Sequence, residues 1–513
     1  MMDFLLSSSL VALGTLLSRV FGLLRDMLFA RHLGAGLSSD VFFAAYRLPN
    51  FFRTLFAEGA FSAAFVPILS GQLVERDRDG VLQFLRNMFS LLLYSMLLFC
   101  LGAEIFMPQL VALVVPGFSS NVEKYRLTVT LSRITFPYLV FIALTSFMAG
   151  VLHCRGKFLA VALNPLLLNL VFILASLLSP LLTPDISRLL SYAVLIGGFL
   201  QFFCLFLAVA SQKIILRPQR LEIDRATREF AKKFSSALLG SAMDQINSVV
   251  SSILLSRAAG AISLVYYADR LVQLPTSLLG TALGVSLVPL LSKKIRRNDG
   301  DRFEIQEDAL LTALFLGLPA MVYLYRLSYI FVPILFERGE FSSASSQAVV
   351  EYTKIYACAL PAFILSKILQ SIFFSSGDTK TPMVSALISL LSNVSIALAL
   401  VGRFGSRGIL IASVLSSYLD FGSLLVILLV RGQLILSERF LLVFAKILYS
   451  LIFLVLTAVA CDKFIPLDQM LAPGLVKFVA TALLSGIVYL AISYLSGLIR
   501  LGKKHASTGG RAG

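Results

Sequence analysis

Residues 18–70 read SRVFGLLRDMLFARHLGAGLSSDVFFAAYRLPNFFRTLFAEGAFSAAFVPILS. Two helical stretches of membrane-spanning length are written there. Yet Arg19, Arg25, Asp26, Arg47, Arg53 and Glu58 stand inside the apolar run. A charge at bilayer depth costs on the order of 2.5 to 3.5 kcal/mol on insertion scales, so several in two helices imply a watery cavity or partner charges.

The rest of the chain has the same character. Of 513 residues, 58% are hydrophobic and 14% charged, where soluble domains carry roughly 25% charged residues. The apolar stretches are about 20 residues long and lack the alternation of barrel strands, so the expectation is an all-α integral membrane protein. A net charge of +16 would also suit nucleic acid, but much of it sits in short loops between spans, where it reads as a topology signal. The five cysteines (Cys100, Cys154, Cys204, Cys358, Cys461) are scattered without metal spacing and read as small core residues. Trp is absent, leaving Tyr and Phe for any interfacial belt. The first hydrophobic segment contains Arg19 and Arg25 and no evident cleavage site, so it reads as retained helix.

Fourteen spans are expected. Helix 1 covers 8–30, with Gly14, Ser18, Gly22 and Arg25 on one face and Arg19 and Asp26 on its neighbour. Helix 2 covers 40–70 and is expected to break at Pro49, with Asn50 and Arg53 just beyond. Four more spans follow to residue 211, then a basic linker, QKIILRPQRLEIDRATREFAKK, over 212–233. Six spans run from 234 to 430, and two last ones cover 441–461 and 472–498. The expected division is 1–222, 223–435, 436–499 and a tail at 500–513. The alternate loops holding residues 155–157, 213–233, 293–302 and the tail carry about twice the Lys and Arg of the opposite set, placing both termini in the cytoplasm.

The two halves repeat. Ala45–Ser70 resembles Ala268–Ser292, with Arg47 over Arg270 and Pro67 over Pro289. Phe118-Ser119-Ser120 matches Phe341-Ser342-Ser343, Pro137 matches Pro361, and Asn169 matches Asn393, all at offsets of 222 to 224. Six helices recurring as six helices give two pseudo-symmetric lobes of equal topology around a central cavity, with two helices appended. In that register Ser18 and Arg19 face Asp244 and Gln245, so the first lobe is the cationic one.

No enzymatic constellation is present: three histidines far apart, no HExxH, no P-loop, no GxSxG. The arginines have a specific use. Guanidinium forks bind phosphate bidentately and stay charged, so Arg19, Arg25, Arg53 and Arg270 together suit a pyrophosphate. Buried ion pairs are the competing use for Arg19 with Asp26, Asp269 with Arg270, and Arg53 with Glu58. Asp40 reads as a cap of helix 2 or a ligand. Asp244, Lys367 and Asp420 are further ionisable residues within spans, suited to ion coupling or to pairing.

SRVFGLLRD, AYRLPNFFRTLFAEGAFSAAFVPIL and YYADRLVQLPTSLLGTALGVSLVPLLS resemble the MurJ (MviN) lipid II flippase family of the multidrug/oligosaccharidyl-lipid/polysaccharide exporter superfamily. The resemblance covers essentially the whole chain. It implies a bacterial inner-membrane protein that moves lipid II from the inner to the outer leaflet by alternating access. It implies functional roles at Ser18, Arg19, Arg25, Asp26, Asp40, Asn50, Arg53, Glu58 and Arg270, and a polyprenyl-tail groove within 436–499. Some members bind sodium (Na+) through positions matching Asp244 and Asn393, but Ala397 stands where a third ligand is expected. Runner-up readings are a flippase for another polyprenyl-linked glycan and a drug/cation antiporter, the latter needing an acidic cavity.

Overall fold

The computed structural model describes residues 2–54, 60–296, 301–464 and 473–498. Every regular element among them is helical. That follows from the medium, since in hydrocarbon each backbone N–H and C=O needs an internal partner, which a helix supplies from its own turns.

The chain divides into two compact units: residues 1–263 with 338–342, and residues 264–337 with 343–513. The first unit contains α1 (Met2–Leu33), α2 (Leu37–Arg53), α3 (Ala60–Glu75), α4 (Arg78–Ile105), α5 (Met107–Val114), α6 (Val122–Thr135), α7 (Tyr138–Cys154), α8 (Phe158–Leu182), α9 (Ile186–Ser211) and α10 (Arg225–Leu255). The next helix, α11 (Ala261–Pro275), begins in the first unit and continues into the second. The second unit holds α12 (Ala282–Arg296), α13 (Arg302–Phe336), α14 (Ser343–Ala357), α15 (Leu360–Ser375), α16 (Lys380–Phe404), α17 (Ser406–Val430), α18 (Glu438–Phe464) and α19 (Pro473–Leu495). The unit boundary thus falls after Ser263 rather than at 222, because α10 packs on α3.

Among the described residues, nine stretches are long and apolar enough to cross a membrane, and α14 with α15 form a tenth, bent by 41°. The remaining expected spans correspond to α1, α2 with α3, α10, and α11 with α12. Those are the helices that carry Arg19, Arg25, Asp26, Arg53, Asp244, Asp269 and Arg270.

Helix 2 does not break where its proline predicts. The helix α2 runs through Pro49 to Arg53 and changes to a wider turn only at Thr54. Pro49 has no N–H for the carbonyl of Ala45. Thr135 of α6 donates its hydroxyl to that carbonyl at 3.1 Å instead, so the turn survives. The second half departs from α-helix in the same register, in a π-helical stretch at Thr276–Thr281 between α11 and α12. Other repeat marks also coincide: Pro137 and Pro361 each open the second helix of a broken pair, and Phe118 and Phe341 are 1% and 2% exposed.

Between helices in lipid, burial of apolar surface gives little, and close packing does the work. In the first unit, Phe29 sits edge-on to Phe42 and Phe172, with centroids 5.5 and 5.1 Å away. A Cβ on Gly198 of α9 would lie 2.3 Å from the Tyr138 ring of α7, so only glycine permits that approach. The basic linker is pinned. Asn87 of α4 accepts from the Glu222 N–H at 2.9 Å and donates to its carbonyl at 2.6 Å, as a neighbouring strand would. Asp224 then caps α10 by accepting from the Thr227 N–H at 2.8 Å. Partial burial raises the Asp224 pKa, but hydrogen bonds from Thr227 and the nearby Arg76 outweigh it and hold the carboxyl below its ordinary value.

Candidate functional site

The first cluster forms where α8 meets α1. Arg25 is 6% exposed and Asp26 2%. Arg25 donates through Nε and Nη2 to Asp26 Oδ1, at 3.0 and 2.8 Å. Its Nη1 reaches the Asn169 side-chain oxygen of α8 at 2.9 Å. Asn169 turns its amide N–H to the Ser18 carbonyl at 3.1 Å, so one side chain clamps two turns of α1. The guanidinium carbon lies 5.5 and 5.7 Å from the Phe29 and Phe172 ring centroids, an arrangement that favours a cation.

This corrects one expected pairing. Asp26 takes its adjacent arginine rather than Arg19, two turns away. Arg19 makes no hydrogen bond or ion pair among the described residues, and its Nε is shut off from solvent without an acceptor. A half-buried guanidinium in that condition wants an anion.

On α2, Arg53 donates through Nε to the side-chain oxygen of Asn50 at 2.8 Å, one turn back. Glu58, the carboxylate weighed as its partner, lies outside the described residues. In the second unit, Arg270 of α11 donates to the Tyr266 hydroxyl at 3.2 and 3.3 Å and to Gln273 at 3.1 Å. Gln273 in turn donates to Asp269, so the two charged neighbours are linked through an amide. These neutral acceptors help to aim the forks of Arg53 and Arg270.

Asp40 proves to be neither cap nor exposed ligand. The cap position of α2 is Gly36. Asp40 is 0% exposed, and both its oxygens are filled. Oδ2 accepts from Lys124 Nζ of α6 and from the Gly260 N–H, each at 2.8 Å. Oδ1 accepts from the Ser263 N–H and hydroxyl at 3.1 and 2.9 Å. It is a structural tie between α2, α6 and the turn before α11.

The matched sodium positions are only partly among the described side chains. The Asp244 side chain lies outside those described. Asn393 of α16 is 2% exposed, and Ala397, one turn on and 1% exposed, supplies no side-chain oxygen. No group of three or more His, Cys, Asp or Glu residues is placed to hold a metal among the described residues. Asp420, another residue weighed for coupling, accepts from Ser385 and so joins α17 to α16.

Residues that the sequence reading did not assign to the site are Asn169, Lys124, Ser263, Tyr266 and Gln273. Asn169 was findable, since a buried amide in an apolar 25-residue helix needs a polar partner on another helix.

Comparison with known proteins places the chain in a family. The sequence model of the family described as "Lipid II flippase MurJ" matches residues 29–484. The chain is 38% identical over 431 residues to a probable lipid II flippase MurJ of Rhizobium tropici, covering 82% of this chain and 80% of that one. It is 34% identical over 436 residues to the corresponding protein of Vibrio cholerae, covering 82% and 81%. A solved lipid II flippase MurJ in an inward closed conformation superposes with a TM-score of 0.81 at 26% identity, over 96% of this chain and 99% of that one. An inward-facing multidrug transporter of the MATE family shares the fold, with a TM-score of 0.66 at 12% identity over 80% and 92%. With the family model spanning most of its length and relatives above 30% identity across four-fifths of it, this chain belongs to the lipid II flippase MurJ family.

Proposed function

We propose that this protein translocates lipid II, the lipid-linked peptidoglycan precursor, from the inner to the outer leaflet of the bacterial inner membrane by alternating access. Both termini face the cytoplasm in this reading, as the distribution of Lys and Arg among the loops favours. The substrate has a diphosphate that must cross a low-dielectric slab and a polyprenyl tail that can stay in lipid. Oriented guanidiniums replace the hydration of the diphosphate and cost little reorganisation as it arrives.

The observation that carries the reading is Arg19, a half-buried guanidinium with a buried, acceptor-less Nε on the same helix as the Arg25 clamp. Arg53, aimed by Asn50, supplies a further fork in the first unit, and Arg25, paired with Asp26 and tied to Asn169, fixes the helix that carries Arg19. Arg270 of the second unit has the same chemistry. A membrane potential of 100 mV supplies roughly 2.3 kcal/mol per charge moved, enough to bias a conformational equilibrium when several charges move. A cationic drug would meet arginines here, which argues against the antiporter reading.

The test is exposure of lipid II at the outer leaflet in a flippase-depleted bacterium supplied with this protein or its variants. Arg19→Gln, Arg25→Gln, Arg53→Gln and Arg270→Gln, each expressed at the level of the parent, are expected to lose complementation. Full activity in all four overturns the reading.

A further inference from the structure

A second concentration of positive charge lies where α13, α18 and α19 meet in the second unit. Arg326 Nη2 donates to Asp462 Oδ2 at 3.1 Å, and Tyr329 donates its hydroxyl to Asp462 Oδ1. Lys477 Nζ donates to the Asp462 main-chain carbonyl at 3.2 Å and stands 3.8 Å from Oδ1. Two cations therefore share one carboxylate, which also accepts from a phenol.

The donors outnumber the acceptors. A guanidinium has five N–H donors and an ammonium three, and the two side chains make one hydrogen bond each. The Arg326 Nε is sealed from solvent with no acceptor, and the Lys477 side chain is only 7% exposed. A buried ammonium with one full hydrogen bond is an expensive arrangement unless another anion completes it. The missing group must bring several acceptor oxygens and at least one negative charge.

The depth of the cluster says which anion. At the other end of two of these helices, Arg439 of α18 donates to Asp308 of α13 at 3.0 Å. From Asp308 to Arg326 the helix rises about 27 Å, close to the roughly 30 Å of a bilayer's hydrocarbon. Between the two charged layers the helices pack through apolar side chains such as Val322, Leu454 and Tyr489. The Arg326 cluster thus stands at one headgroup level and the Arg439 pair at the other. Arg326 keeps 38% of its side chain exposed, so the cluster is open on one side.

We infer that Arg326 and Lys477 form a binding site for a lipid phosphate at the headgroup boundary, with Tyr329 and Asp462 holding the two cations in place. The ligand class is an anionic lipid whose phosphate or diphosphate supplies the missing acceptors. The site does not depend on what the protein transports.

The experiment is native mass spectrometry of the full-length protein with added dioleoylphosphatidylglycerol, undecaprenyl diphosphate or zwitterionic phosphatidylcholine, and with inorganic pyrophosphate as competitor. The wild type should retain one anionic lipid in preference to phosphatidylcholine. Arg326→Gln and Lys477→Gln, each of which leaves a one-to-one ion pair, should weaken that retention about tenfold or more, the worth of a charge-assisted hydrogen bond. Arg326→Lys should retain it, and so should Arg403→Gln, which removes an exposed cation elsewhere in the unit. Asp462→Asn raises the cluster's charge and should tighten binding even where it lowers the melting temperature, a response that a purely structural cluster would not give. Selective loss of the diphosphate lipid identifies a carrier lipid as ligand, and selective loss of phosphatidylglycerol a membrane phospholipid. Retention that is equal in wild type, Arg326→Gln and Lys477→Gln, with no tightening in Asp462→Asn, overturns the proposal.

Discussion

Replacing Asp40 by Asn tests how much of the first unit rests on one carboxylate. The wild-type group accepts four hydrogen bonds, one of them from an ammonium whose side chain is 11% exposed. Asn keeps one acceptor oxygen for Ser263 but turns an NH2 toward Lys124 Nζ and the Gly260 N–H, setting donor against donor. Breaking a buried pair by removing one partner costs about 3 to 5 kcal/mol, because the other charge is left uncompensated. Lys124→Met on that background removes the stranded ammonium, and its apolar chain can lie on the Phe118 ring that the ammonium now faces at 3.9 Å. The double variant should recover about half of the loss. Reversible unfolding in mixed micelles, followed by helix circular dichroism, gives the four corners of the cycle. A loss below about 1 kcal/mol in Asp40→Asn, or a double variant no more stable than it, refutes the assignment of Asp40 as a charge-paired structural tie.

Three further outcomes follow from local geometry. Thr135→Val strands the Ala45 carbonyl and should cost about 1 to 2 kcal/mol, whereas adding Pro49→Ala restores a backbone donor and should return most of it, read in the same unfolding assay. Gly34 has φ +63°, and a Cβ there would lie 2.4 Å from the Glu340 carbonyl oxygen, so Gly34→Ala should lower the unfolding midpoint more than Gly36→Ala, where the space is open. Asp378, in the turn before α16, is held down to about 2 by hydrogen bonds from Thr381, with Arg431 adding its charge. A depressed carboxyl stabilises fully above its unfolded value near 4 and loses that contribution as pH falls through its folded value. Exchange protection of the Thr381 amide, corrected for intrinsic rate, should therefore hold from pH 7 to about 4 and fall toward pH 2.

The fold was legible wherever a side-chain type repeats at a fixed offset, because a duplicated helix keeps its proline or its buried amide for the same local reason twice. Pro137 and Pro361, or Phe118 and Phe341, are readable in that way. Pro49 was not, since its effect depends on Thr135, a hydroxyl 86 positions along the chain that adopts the abandoned carbonyl. Charges were legible as a set and illegible as pairs. Helical phase put Arg19 beside Asp26, but phase ignores rotamer reach and the neighbour on α8, and Asn169 decides that Arg25 is the one held. Asp40 looked like a cap because it begins a helix, and only the folded chain brings Lys124, Gly260 and Ser263 to it. Tyr266 and Gln273 flank Arg270 at helical spacing and were within reach of a closer reading of α11.

Five residues, Arg338–Ser342, belong with the first unit although the chain around them belongs to the second. The Glu340 N–H donates to the Arg31 carbonyl at 2.9 Å, and Gly339 at φ +61° passes so near that carbonyl that no larger residue fits. The amino-terminal bundle therefore takes one of its contacts from polypeptide that the ribosome makes much later. A fragment ending at residue 263 would lack that contact, and supplying a peptide spanning 338–342 in trans should raise its resistance to proteolysis.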